Sequence, residues 1–341
     1  MVRLSELALV LTSPGVFILP PLRMDVALQA YVDGTYASVP PSVCEDVDKG
    51  KHSLLELIKN LGTYLTSDNE VVRARAIALL SCVIEHLASQ RADHTHVQLR
   101  RQTVRTLTEF FSSKISDAVI VGDIVSQRAN DAPVVPATAP RAAIKAEEDR
   151  TLRADQMLYD CLRTLLVLSS VGFEENEARS RDAFGGEDAR TAAKALFSLD
   201  LRKYPQPLRF VVGQLLDALV TRHLTALASM QTGPDAPDGS AFVHGYATLV
   251  TGEKDPRNLL LLFGLARVLL LEWDMGPKEA DAMYNILFCY FPISFRPPPD
   301  DPYGITPDQL KKALRACLSA SSKFAPMAYP LLLEKLSATG G

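Results

Sequence analysis

The chain has 341 residues, a net charge of −4, 47% hydrophobic residues and 22% charged residues. That apolar content excludes a globally disordered chain, and the mildly acidic balance excludes a broad nucleic-acid surface, which needs a basic face. Leu and Ala dominate while aromatics stay at 7%, a composition that favours helices over strands.

The chain opens with Met1 to Leu22, whose apolar stretch from Leu7 to Leu19 is broken by Pro14. Glu6, the central proline and the lack of a small-x-small cleavage site argue against a signal peptide. Residues 1–23 read as a disordered leader, or as sequence ahead of a true start at Met24. Residues 24–341 read as the folded unit. Next, His52 to Leu65 carries Leu54, Leu55, Leu57, Ile58, Leu61 and Leu65 at helical spacing. Leu65 to Leu87 then places Val72, Ala76, Leu79, Leu80, Val83 and Leu87 on one helical face, with Ser67, Asp68 and Asn69 as capping residues. This pair resembles a HEAT repeat, with Asp68, Val72-Arg73, Ala76 and Leu79 at that family's positions. The expected roles follow: Asp68 caps the helix, Arg73 reaches a neighbouring repeat, and the small Ala76 lets two helices approach closely.

Further helices are predicted at Val97 to Ser116, Thr151 to Ser170, Gln206 to Ser229, Pro256 to Trp273, Pro277 to Phe291, Thr306 to Ser319 and Lys323 to Ser337. Three stretches interrupt them. Arg128 to Arg150 is rich in Ala, Pro and charge and reads as a flexible loop. Phe173 to Arg190 is charged with a Gly-Gly break and reads as a second insertion. Met230 to Ser240 reads as a short turn-rich loop. Nothing reads as a run of alternating strands. A lone helix pair cannot bury its apolar stripe, so the pairs must stack; at about 40 to 47 residues per repeat the span from His52 holds roughly five to seven. The predicted fold is all-α: a HEAT-repeat, ARM-like α-solenoid superhelix.

Site chemistry is sparse. Cys44, Cys82, Cys161, Cys289 and Cys317 are an odd set with no close pair in sequence, which reads as reduced thiols serving as small core residues. His94 and His96 lie in a polar loop with only Asp93 nearby, and His86 and His223 read as surface or packing residues. No metal site and no cofactor is expected. Gly185-Gly186 stand in a charged stretch, and Gly252-Glu253-Lys254 lacks the upstream glycine and following hydroxyl of a phosphate loop. With no nucleophile motif either, the chain reads as a non-enzyme. The most apolar run, Leu259 to Leu271, contains Arg267 and at about 13 residues is too short to cross a bilayer, so no membrane partner is expected.

Two loops carry more information. In Gly252 to Leu262, Gly252 is a helix stop, Asp255 an N-cap and Pro256 a first-turn residue. In Cys289 to Thr306, Pro297-Pro298-Pro299 predicts a stiff extended segment, and Thr306 with Gln309 predicts a capping box. Phe291, Phe295, Arg296, Pro297, Pro298, Pro299 and Tyr303 form the candidate partner-binding loop. Two readings are open there, a structural clasp between repeats and a rigid docking ledge.

Gly252 to Leu260 (GEKDPRNLL), Cys289 to Ile305 (CYFPISFRPPPDDPYGI) and Phe324 to Leu336 (FAPMAYPLLLEKL) resemble the amino-terminal domain of the MMS-nineteen family, Met-eighteen in yeast usage. Leu61 to Ser81 is similar to that family's first repeats. The resemblance implies a HEAT-repeat adaptor of the cytosolic iron–sulfur protein assembly targeting complex. It implies partnership with a WD-repeat propeller and a small partner protein, and delivery of clusters to DNA helicases and polymerases. It also implies links to transcription factor IIH and nucleotide excision repair, in nucleus and cytoplasm. Family members are considerably longer, so the chain is expected to be a fragment or truncated gene model lacking the carboxy-terminal repeats implied to hold the assembly partners. The dispersed cysteines predict that the chain carries no iron–sulfur cluster of its own. The acidic balance predicts no direct binding of nucleic acid. A generic HEAT-repeat scaffold, such as a nuclear transport or transcription-complex subunit, is the other function the pattern fits.

Overall fold

The computed structural model describes residues 24–89, 96–131, 141–174, 180–230, 240–297 and 303–339. The leader expected over 1–23, His94 and the tip of the loop from Met230 to Ser240 lie outside them. Two facts of sequence build the first helix of the first repeat. Leu54, Leu57, Leu61 and Leu65 form one buried stripe, the Ser53 hydroxyl accepts from the Glu56 N–H at 3.1 Å, and α3 (Leu54–Leu65) results. A four-residue turn leads to α4 (Glu70–Ser89), which buries Ala76, Leu79, Leu80, Val83 and Leu87. Val72 is partly buried and packs on the same core. Ahead of this pair stand α1 (Met24–Val32) and α2 (Pro41–Asp48).

The polar roles in that repeat differ from the expected ones. Asn69, not Asp68, caps α4: its Oδ1 accepts from the Val71 and Val72 N–H groups at 3.0 and 3.4 Å. Arg73 donates to the Ser67 carbonyl at 2.7 Å, inside its own repeat rather than across to the next. The inter-helix reach belongs to Arg75. Its Nε donates to the Tyr31 carbonyl at 2.8 Å, its Nη2 to the Tyr36 carbonyl, and its guanidinium lies 4.8 Å from the Tyr31 ring centre.

The array continues with α5 (Arg101–Asp131), α6 (Arg141–Leu168), α7 (Gly186–Phe197), α8 (Gln206–Ala228), α9 (Ala241–Val250), α10 (Pro256–Glu272), α11 (Pro277–Phe288), α12 (Pro307–Leu318) and α13 (Ala325–Thr339). Among the described residues, α4, α6, α8, α10 and α12 pack side by side in one layer, and α5, α7, α9 and α11 in the other. The layers meet within α3/α4, α5/α6, α7/α8 and α11/α12. α9 meets α10 through Tyr246, whose hydroxyl donates to the Leu262 carbonyl at 2.7 Å. One apolar core runs from Ala27 to Phe324. The molecule is an all-α solenoid of stacked helix pairs.

Two expected insertions prove to be structure. The stretch from Arg128 to Arg150 is helical at both ends, because α5 runs to Asp131 and α6 starts at Arg141; residues 132–140 lie outside the described set. The stretch from Phe173 to Arg190 holds a small antiparallel hairpin, β1 (Gly172–Glu174) with β2 (Ser180–Asp182), and then the first turn of α7. Ala183 and Phe184 follow the hairpin and are fully buried. The Phe184 ring lies 5.5 Å from His223, where α8 kinks at φ −128° and ψ 27°. Charge and glycine obscured α7, but Ala189, Ala192, Ala193 and Leu196 supply its buried stripe.

Candidate partner-docking site

The corner between α9 and α10 starts with Gly252, at φ +84°. Only glycine enters that left-handed region without strain. The reversal sends Glu253 into the protein, where its side chain is 3% exposed. Its Oε2 accepts from Arg209 Nε and from Asn258 Nδ2, both at 2.9 Å. Its Oε1 accepts from Arg209 Nη2 at 3.1 Å and from the Lys254 and Asp255 N–H groups, both at 2.8 Å. Arg209 comes from α8 and also donates to the Tyr204 carbonyl at 3.0 Å; Gln206 of α8 donates to Asn258 Oδ1 at 3.2 Å. The carboxylate thus joins α8 to the start of α10, with both oxygens fully engaged. Its role is structural, since a buried charge persists only when paired and hydrogen-bonded.

Beyond Lys254 the chain turns outward. Asp255 caps α10 by accepting from the Arg257 N–H at 2.9 Å, and it holds the Arg257 guanidinium through Nε at 2.9 Å and Nη2 at 2.7 Å. Arg257 pulls the Asp255 carboxyl below the usual carboxylate range. The same guanidinium lies 4.1 Å from the Tyr303 ring centre. The two informative loops are therefore one composite site.

The proline loop is pinned at both feet. Tyr290 donates to the Val250 carbonyl at 3.1 Å, packs edge-on to Phe263, and burial pushes its hydroxyl up to about 12. At the other foot Ile305 is buried, and Thr306 exchanges hydrogen bonds with Gln309: its N–H donates to Gln309 Oε1 at 2.7 Å and its hydroxyl accepts from the Gln309 N–H at 3.2 Å. Between the feet, Phe295 is half-buried against the core. Phe291 stacks on Phe288 yet stays 46% exposed, and Tyr303 is 60% exposed. Arg296 and Pro297 are exposed. Pro298 and Pro299 lie outside the described residues. The clasp and the ledge are thus divided among residues: Tyr290, Phe295 and Ile305 hold the loop, while Phe291, Arg296, Pro297 and Tyr303 face solvent.

Sequence reasoning missed Glu253, Arg209 and Asn258. The local signal was an acid between a helix-stopping glycine and an Asp-Pro cap. Its main partner lies 44 residues upstream. Among the described residues, no three His, Cys, Asp or Glu side chains stand close enough to hold a metal ion, and no helix is long and apolar enough to cross a membrane. The described part of the corner carries exposed Phe291, Arg296 and Tyr303 on a hydrogen-bonded frame, with the Arg257 guanidinium against the Tyr303 ring.

Stacked helix pairs with such a corner define an α-solenoid of the HEAT-like class. The chain belongs to the family described as Dos2-interacting transcription regulator of RNA-Pol-II, the MMS19 amino-terminal family, whose model matches residues 58–129 and 148–341. It is 27% identical over 307 residues to the human MMS19 nucleotide excision repair protein homolog, covering 90% of this chain and 24% of that protein. It is 27% identical over 299 residues to the DNA repair/transcription protein mms19 of Schizosaccharomyces pombe, covering 87% of this chain and 23% of the relative. With the DNA repair/transcription protein MMS19 of Saccharomyces cerevisiae, also called Met-eighteen, it shares 29% identity over 286 residues, covering 84% of this chain and 22% of the relative. The chain thus spans about a quarter of the length of these relatives.

Proposed function

We propose that this chain is the protein-binding solenoid of an adaptor that serves DNA repair and transcription in nucleus and cytoplasm. Within that role it recruits iron–sulfur client proteins, such as DNA helicases and polymerases, to the cytosolic iron–sulfur assembly targeting complex. The names of the relatives support the repair and transcription setting. The iron–sulfur role rests on the resemblance of the GEKDPRNLL and CYFPISFRPPPDDPYGI stretches to that family. The observation that carries a docking role is the loop itself, fixed at Tyr290 and Ile305 and presenting Phe291, Arg296 and Tyr303 outward. A stiff proline run loses little conformational entropy when a partner settles on it.

The test uses the full-length protein, tagged and recovered from cells. Iron–sulfur assembly components and apo-clients should co-purify with it. Recovery of transport receptors or transcription subunits without them would instead support a generic scaffold. Arg296→Ala separates ledge from clasp: client recovery should fall several-fold with an unchanged melting curve. Phe295→Ala should lower the melting temperature, with client loss no greater than unfolding explains. If Arg296→Ala alters neither stability nor recovery, the docking role of the loop is wrong.

A further inference from the structure

Helices α2 and α4 meet at two thiols. Cys44 on α2 and Cys82 on α4, 38 residues apart in sequence, bring their Sγ atoms to 3.9 Å. Nothing in the spacing of the five cysteines signals this pair. Its two members differ in access, since Cys44 is buried and Cys82 is exposed. Two other thiols lack this arrangement: Cys161 and Cys317 are buried, and the Cys317 S–H donates to the Phe263 carbonyl at 3.0 Å.

A disulfide needs the sulfurs at about 2.05 Å, so closure requires roughly 2 Å of further approach. That approach requires rotation of both side chains and a small shift of α2 toward α4. α2 is only eight residues long, and its start is capped by no side chain. The charges beside the pair are Glu45 next to Cys44 and Glu85 near Cys82, and Tyr31 lies within electrostatic reach of Cys82. Either sulfur can donate across this contact, and it lowers the Cys82 thiol to about 7, against the opposing effects of burial and Glu85. That hydrogen bond and burial raise Cys44. The exposed sulfur is therefore the more acidic of the two and the buried one the less acidic, the division that a peroxide-sensing dithiol needs.

We propose that Cys82 and Cys44 form a peroxide-oxidisable pair that closes to a disulfide between α2 and α4. In the first step the Cys82 thiolate attacks one oxygen of hydrogen peroxide. The O–O bond breaks, Cys82 becomes a sulfenic acid, and the departing hydroxide takes a proton to become water. In the second step the Cys44 sulfur attacks the Cys82 sulfur. The S–O bond breaks, and the hydroxyl leaves as water with the Cys44 proton. Two thiols are oxidised by two electrons, one peroxide is reduced, and two waters form. The bond fastens α1 and α2 onto α4.

The experiment treats the reduced full chain with hydrogen peroxide and follows intact mass and disulfide-mapped peptides. The wild type should lose the mass of two hydrogen atoms, show a Cys44–Cys82 linked peptide pair, melt at a higher temperature than the reduced form, and return to its starting state with dithiothreitol. Cys44→Ser should accumulate a sulfenic acid at Cys82 that dimedone traps, and Cys82→Ser should form no linked pair. The mapping of the wild type decides the matter even if a variant folds poorly. Absence of the linked pair, with Cys82 left reduced or carried on to sulfinic acid, overturns the proposal. Preferential oxidation of Cys289 with Cys44 and Cys82 intact overturns it equally.

Discussion

At the scale of single residues, Glu253 is the most consequential side chain. Replacing it with Ala strands the Arg209 guanidinium, the Asn258 amide and two backbone N–H groups in a mostly dry corner. Removing one partner of a buried pair costs about 3–5 kcal/mol. Arg209 keeps 21% of its side chain exposed, so water recovers part of that and the loss falls at the lower end. Glu253→Ala should therefore unfold at clearly lower urea in an equilibrium titration, and an unchanged midpoint would refute the node. Asp255 predicts a pH effect. Arg257 lowers its folded-state value, so the pair adds stability above the unfolded carboxyl value of about 3.9 and loses it as pH falls through the lower folded value. Arg257→Ala should then shrink the difference in melting temperature between neutral and acid solution. Residues whose partners are local were legible: Gly252, Asp255, Pro256, Thr306 and Gln309 all act within a few residues of themselves. Glu253 was not legible, because its partner is a repeat away; Ser67, Asp68 and Asn69 were all legible as capping residues, but which of them caps α4 was not, because caps at adjacent positions look alike in sequence.

At the scale of helices, strong apolar periodicity was enough to locate α3, α4, α8, α10 and α12 within a few residues. All of α7 was missed, its start hidden by Glu187, Asp188 and Arg190, which cap and solvate the helix but mimic a polar loop. The Asp188 carboxylate closes that cap by accepting from the Gly185 N–H at 2.7 Å. The hairpin β1–β2 was hidden for the opposite reason, since three residues per strand are too few for a period-2 pattern to register. Close approach of α9 to α7 yields another prediction. A methyl group at Gly245 would overlap the Phe197 ring, which itself packs edge-on to Phe242 at 5.1 Å. Ala gains about 1 kcal/mol of helix propensity over Gly, but overpacking costs about 1–3 kcal/mol. Gly245→Ala should lower the melting temperature despite the better helix former, and a higher one would show that the contact yields freely.

At the scale of the molecule, each helix packs chiefly on its neighbours in the two layers. Stability in such a stack is a sum of repeat terms and nearest-neighbour interfaces. Damage at the Glu253 corner should stay near α8 to α12. Hydrogen exchange on Glu253→Ala should speed amides there while α3 to α6 keep wild-type protection, and uniform acceleration would mean the array unfolds as one unit. The same layering fixes how far apart in the chain contacting residues lie. Arg75 to Tyr31 is 44 residues, Arg209 to Glu253 is 44, Gln206 to Asn258 is 52 and Cys317 to Phe263 is 54. The α5–α6 excursion stretches this to 78 between Arg163 and Glu85. Separations of this size are not local, yet they stay within one or two repeats, so the loop that each contact closes does not grow with the length of the array. Each repeat finds its docking surface already built by the one before it, so the solenoid can assemble progressively as it leaves the ribosome, with one unfinished apolar face at the growing end.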